Sequence, residues 1–122
     1  MELVPVTEKY FEFIRQLRVD PRNTDGFLEQ VSITPDQQRK YMENHATSYY
    51  VCLLYGTPVG YVGVIDDDIR ICTDHEVKSS GVGSFMLSEI KKLYPSATGR
   101  IKKNNVASQR LFEKCEVPYK LI

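Results

Sequence analysis

Lys78-Ser79-Ser80-Gly81-Val82-Gly83-Ser84 is the stretch that decides the fold. An apolar, β-branched run precedes it, Ile69-Arg70-Ile71-Cys72-Thr73, and reads as a strand. Val82, Phe85, Met86, Ile90 and Leu93 follow at the spacing of a helical apolar stripe that Pro95 ends. Strand, glycine-bearing loop and helix start, in that order, aim several backbone N–H groups at one point. Unpaired N–H groups and the positive end of the helix dipole converge there, which suits an anion such as a phosphate. A side chain at Gly81 or Gly83 would hold that anion off the backbone. A Rossmann fingerprint would need a further glycine where Met86 stands, and a Walker loop would need Gly-Lys-Ser or Gly-Lys-Thr; the chain has neither.

Upstream, Glu2 to Val6 alternate like an edge strand, where Pro5 is tolerated. Thr7 is placed to cap a helix bearing Tyr10, Phe13, Ile14 and Leu17. Val19 to Val31 is polar and reads as a long loop, a kind of segment that often carries function. Thr34-Pro35-Asp36-Gln37 combines a cap, a proline at the first helical position and a glutamine closing a capping box, and the helix it starts should reach about Ala46. Tyr49 to Tyr55 and Val59 to Val64 form a hairpin about Gly56-Thr57-Pro58, and Asp66-Asp67-Asp68 begin the turn into Ile69–Thr73. Downstream, Ala97 to Ile101 make a strand, Asn104 or Asn105 caps a helix with Leu111, Phe112 and Cys115, and Val117 to Ile122 close as a strand. The order is β-α-α-β-β-β-α-β-α-β, an α/β fold whose mixed central sheet is flanked by helices, antiparallel in its first half and parallel in its second.

The 122 residues suffice for a single domain over positions 1–122. Lysine plus arginine equal aspartate plus glutamate, so the chain lacks the basic excess of a general nucleic-acid binder. No apolar run approaches the length that spans a bilayer, and Met1 to Pro5 do not read as a secretory signal. Cys52, Cys72 and Cys115, odd in number and in apolar settings, read as buried thiols of a reducing, cytoplasmic compartment. Neither Cys-x-x-Cys nor His-x-x-x-His occurs, so no metal site is expected.

The element order, the run Glu76-Val77-Lys78-Ser79-Ser80-Gly81-Val82-Gly83, and Asn104-Asn105-Val106-Ala107-Ser108 leading into Leu111-Phe112-Glu113-Lys114 together resemble the GNAT superfamily of acyl-CoA-dependent N-acetyltransferases. Lys78 takes the position where that family's loop carries Gln or Arg. The resemblance implies that strands four and five splay apart and that acetyl-CoA inserts between them. Ile71, Cys72 and Thr73 would then line the pantetheine arm, with Ile71 and Thr73 bonding it through their backbone. Lys78, Ser79, Ser80, Gly81, Val82, Gly83 and Ser84 would hold the pyrophosphate, and Asn105 and Ser108 would orient the arm from the last helix. Lys102, Lys103 and Arg110 are surface charges that could also meet the cofactor's 3′-phosphate.

Acyl transfer to an amine needs a neutral amine, a polarised carbonyl and close approach. The Ile71 N–H is the candidate donor to the carbonyl. The position of the base in histone-modifying members falls on Asp67, with Asp68, His75 and Glu76 as rivals. Phe112 stands where many members carry a tyrosine acid, and Tyr119 is a distant substitute. Arg22 and Asn23, in the loop Arg18–Phe27, are the candidate acceptor-binding residues. The expected activity is acetyl transfer to a small primary amine, an amino sugar by preference, by a monomer or homodimer without nucleic-acid or membrane partners. A non-catalytic acyl-CoA-binding module and a small interaction domain without cofactor are the alternatives.

Overall fold

The computed structural model describes residues 1–21, 34–77 and 81–122. Strands β1 (Glu2–Pro5), β2 (Tyr49–Leu54), β3 (Thr57–Ile65) and β4 (Asp68–Thr73) form an antiparallel sheet in that order. β5 (Gly99–Ile101) and β6 (Tyr119–Leu121) pair in parallel as a second sheet. Helices α1 (Phe11–Val19) and α2 (Pro35–His45) cover one face of the larger sheet, and α3 (Val82–Leu93) and α4 (Val106–Lys114) lie on the other.

Strand alternation produces the two-sided core. Val51, Leu53, Tyr61 and Cys72 meet Ile14, Leu17 and Met42 of the first helix pair. Val62, Val64 and Ile69 meet Val82, Met86, Leu87 and Ile90 of α3 and Phe112 of α4. Full burial of such a side chain is worth about 1.5–3 kcal/mol each, and the apolar stripes of the helices supply most of these contacts.

Local chemistry accounts for most of the element ends. The Thr34 hydroxyl accepts from the Gln37 N–H, and the Gln37 side chain accepts from the Thr34 N–H, the expected capping box. Thr7 differs: its side chain makes no cap bond, and a 3-10 turn over Glu8–Tyr10 delays α1 to Phe11. The first hairpin also turns one residue earlier than the sequence suggests. Tyr55 and Gly56, both at positive φ (51° and 80°), form its two-residue loop, and Pro58 lies within β3. Pro58 is accommodated because the register slips between Cys52 and Leu53, a bulge at which a ladder bond is not required. In the second hairpin Asp66 and Asp67 occupy the left-handed region (φ 52° and 61°), while Asp68 already belongs to β4.

Candidate functional site

β4 and β5 run parallel and meet at one end only. Asp68 bridges Thr98, the Ile69 N–H donates to the Thr98 carbonyl (2.9 Å), and the Thr98 N–H donates to the Asp67 carbonyl (2.9 Å). Among the described residues their pairing stops there, and the two strands continue in separate sheets. Because the backbone of a strand alternates sides, the parity of Ile69 decides what faces the gap. Ile71 and Thr73 share that parity and turn N–H and C=O toward β5. Cys72 is of the other parity: its backbone pairs with Tyr61 of β3 and its side chain is buried in the α1/α2 core. Of the three β4 residues expected along the arm, Cys72 is therefore the one whose backbone does not face the gap.

Asp68 fastens the closed end. Its carboxylate accepts from Arg70 Nε (2.9 Å) and from Arg100 of β5 through Nε (3.2 Å) and Nη2 (2.9 Å). Sequence reading passed over this clamp because the arginine that completes it lies 32 positions away.

The open end of β4 leads to the N-terminus of α3. Gly81 is the N-cap, in the left-handed region at φ 87°, and among the described residues no side chain caps the helix there. A Cβ on Gly81 would meet nothing within 4 Å, so glycine serves the backbone conformation and leaves the approach clear. Gly83 has a different reason. A Cβ there would lie 3.2 Å from Leu111 Cδ2 and 3.7 Å from Thr73 Oγ1, so this glycine lets α4 and the end of β4 close on α3. Val82 is buried in the core. The N–H groups of Val82, Gly83 and Ser84 lie in the first turn, where no intrahelical acceptor exists, and that turn contains no acidic residue.

At α4 the Asn105 side-chain oxygen accepts from the Ser108 N–H (3.2 Å), so Asn105 is the N-cap and brings Ser108 to the same turn. Phe112 is buried, its ring against Gly99: a Cβ on that glycine would sit 2.4 Å from Phe112 Cε2. Tyr119 stacks edge-on against Phe112 and donates its hydroxyl to Glu113. Asp67 is exposed in its turn, four residues before Ile71, or about 13 Å along an extended strand. The two candidate catalytic positions are thus not adjacent. Lys78, Ser79, Ser80, Arg22 and Asn23 lie outside the described residues.

A polar cluster lies on the α1/α2 face, of which sequence reading singled out only Arg18, at the start of the expected acceptor loop. Tyr41 and Tyr49 share a hydroxyl–hydroxyl bond of 2.8 Å, and the Arg18 guanidinium stands 5.1 Å from the centre of the Tyr41 ring. Arg18 Nη1 donates to Gln38 Oε1 at 3.2 Å. Gln38 is only 1 % exposed, and among the described residues its Nε2 has no hydrogen-bond partner, an omission that ordinarily costs about 1–3 kcal/mol. Burial pushes the Tyr49 and Tyr61 phenols well above their ordinary range.

By sequence, no family model and no curated protein matches the chain. Solved structures do. A ribosomal-protein-alanine N-acetyltransferase from Brucella melitensis superposes with a TM-score of 0.81 at 16 % identity, over 93 % of this chain and 82 % of that one. A spermidine N-acetyltransferase from Vibrio cholerae, solved with CoA and spermine, gives 0.81 at 14 % identity over 93 % and 78 %. A GNAT-family acetyltransferase from Streptococcus pneumoniae gives 0.73 at 18 % identity over 93 % and 81 %. The chain has the fold of the GNAT acetyltransferases.

Proposed function

We propose that this chain, as one domain, transfers an acetyl group from acetyl-CoA to the primary amine of a small acceptor, an amino sugar being one candidate class. The observation that carries the reading is the gap between β4 and β5, which is faced by backbone of Ile71 and Thr73 and leads to the uncapped, acid-free N-terminus of α3. The two features fit the two chemical halves of the cosubstrate. A row of backbone donors and acceptors suits the amides of pantetheine, and bare N–H groups at a helix dipole suit the pyrophosphate. Gly81, Val82, Gly83 and Ser84 would hold the phosphate end, and the Thr73 backbone would bond the pantetheine arm. Ile71 would hold the thioester end, with Asn105 and Ser108 beside the arm.

Acetyl-CoA, when bound, supplies the activated acyl group. The chain's own contributions are three. The Ile71 N–H, fixed in its strand, is a preorganised donor for charge that develops on the carbonyl oxygen. Holding amine and thioester together supplies about 7–11 kcal/mol of the barrier when the geometry is good. A carboxylate or histidine base would also take up the ammonium proton; Asp67 is our candidate, and at about 13 Å from Ile71 along the strand it would act through a chain of waters.

The runner-up is a non-catalytic acyl-CoA-binding module, favoured by Phe112, which offers no hydroxyl and is sealed against Gly99. Thermal unfolding in millimolar acetyl-CoA, followed by release of free thiol across an amine panel, decides among the readings. A raised Tm with turnover supports the enzyme, and a raised Tm without turnover supports the module. An unmoved Tm removes both. Cys52 and Cys72 are buried thiols, which supports a cytoplasmic setting, whereas Cys115 is half-buried against the Ser88 hydroxyl and the Ser84 carbonyl rather than buried as expected. No helix among the described residues is long and apolar enough to cross a membrane.

A further inference from the structure

The donors of Arg18 and Gln38 lie outside the acetyl-CoA site described above. The orientation of the Gln38 amide is fixed by its neighbour: the oxygen takes an Arg18 N–H, so the nitrogen is the other branch of the amide, with two hydrogens and, among the described residues, no acceptor. The Tyr41 and Tyr49 hydroxyls bond to each other, one donating and one accepting, and neither is a partner of the Gln38 nitrogen. Among the described residues no carboxylate pairs with Arg18, while the Asp68 carboxylate is engaged by Arg70 and Arg100. The buried Gln38 amide nitrogen and the half-buried Arg18 guanidinium are therefore N–H donors with net positive charge that, among the described residues, lack an anionic acceptor.

The cluster is joined to the reacting strand. The Tyr49 ring crosses Gly63, where a Cβ would lie 2.5 Å from Tyr49 Cδ1, and Gly63 is paired with Arg70. Arg70 precedes Ile71, and its side chain lies on the α1/α2 side of the sheet. A group held at Arg18 and Gln38 would thus lie on the face of the sheet from which an acceptor could approach β4.

We infer that the acceptor carries a carboxylate as well as its amine, and that Arg18 and the Gln38 amide nitrogen bind this carboxylate. The inference rests on the acetyltransferase reading and narrows it to amino acids and related amino carboxylates. A carboxylate is flat and accepts parallel N–H bonds, which matches a guanidinium edge with an amide beside it. A polyamine would bring like charge to Arg18 and leave the Gln38 donors unpaired.

Nuclear magnetic resonance on the full 15N-labelled chain reads both sites at once, through the Arg18 Nε–H and Gln38 side-chain amide signals and the Gly81 and Gly83 backbone amides. The probes are β-alanine, β-alaninamide, O-phosphoethanolamine and spermidine, each added with CoA present. β-Alanine should move the Arg18 and Gln38 signals saturably, with affinity at least about tenfold above that of the amide or spermidine. Arg18→Gln should erase that preference and leave CoA affinity unchanged. Equal response to β-alaninamide or spermidine, or a still Gln38 signal, overturns the inference and makes the pair a brace between α1 and α2. A stronger response to O-phosphoethanolamine overturns the carboxylate in favour of a phosphate. The acetyltransferase reading is judged separately. CoA shifts at Gly81 and Gly83 with Gln38 unmoved sink only the acceptor inference, whereas no CoA shift there sinks the reading itself.

Discussion

Gly81 and Gly83 look equivalent in the sequence, yet they serve different ends. Gly81 holds a left-handed N-cap with open space above it, and Gly83 sits under Leu111. The difference gives a discriminating pair of variants. Gly81→Asn keeps a residue that tolerates positive φ and adds no charge, whereas Gly81→Glu brings a carboxylate to the positive end of α3. Gly81→Glu should weaken acetyl-CoA binding at least about tenfold, or about 1.4 kcal/mol, relative to Gly81→Asn, read by calorimetric titration. Equal affinities would place the pyrophosphate elsewhere. The three aspartates of the second hairpin divide in the same way. Asp66 and Asp67 shape the turn, and Asp68 is the ionic clamp between β4 and β5. Asp67→Asn tests the base: loss of the acidic limb of the pH–rate profile, with the amine's own limb intact, is the expected result, and an unchanged profile rejects Asp67.

At the scale of elements, the starts of α2 and α4 were legible because each cap rests on residues three apart in sequence, Thr34 with Gln37 and Asn105 with Ser108. The β-α alternation of the second half was legible for the same reason, since periodicity is local. Pro58 misled the hairpin reading because the bulge that admits it is a property of two strands together. Long-range packing was equally hidden: nothing near Gly99 in the chain announces that Phe112 lies across it, and nothing near Arg18 announces Gln38. The Gly99–Phe112 contact fixes how closely α4 lies under β5. Gly99→Ala should cost about 1–3 kcal/mol by overpacking, measured by urea unfolding. Combining it with Phe112→Leu should recover part of that loss, because the smaller side chain vacates the space. Additive losses in the double variant would mean that the ring does not confine the strand.

Taken as a whole, the molecule is a sheet whose α3/α4 side is mainly aliphatic with Phe112, its phenols only partly buried, and whose α1/α2 side carries the buried phenols Tyr49 and Tyr61. This asymmetry has a consequence for stability against pH. Burial raises the Tyr49 phenol first of all, and the bond to Tyr41 adds to it; burial also raises Tyr61. A folded-state pKa above the unfolded value means that the native state holds its protons longer. The stabilisation is then complete below the unfolded phenol value near 10 and is lost as pH climbs above it toward the folded value. The urea midpoint should therefore be level with respect to these groups up to about pH 9 and fall steeply beyond about pH 10. Phenolate absorbance from the buried tyrosines should appear together with unfolding. Tyr49→Phe removes one of the two protons held back and should flatten the alkaline slope, at some cost in stability at neutral pH from the orphaned Tyr41 hydroxyl. Should the native protein instead ionise all its tyrosines near pH 10 with an unmoved midpoint, the Tyr49 and Tyr61 phenols would be open to water, and the burial that raises them would be refuted.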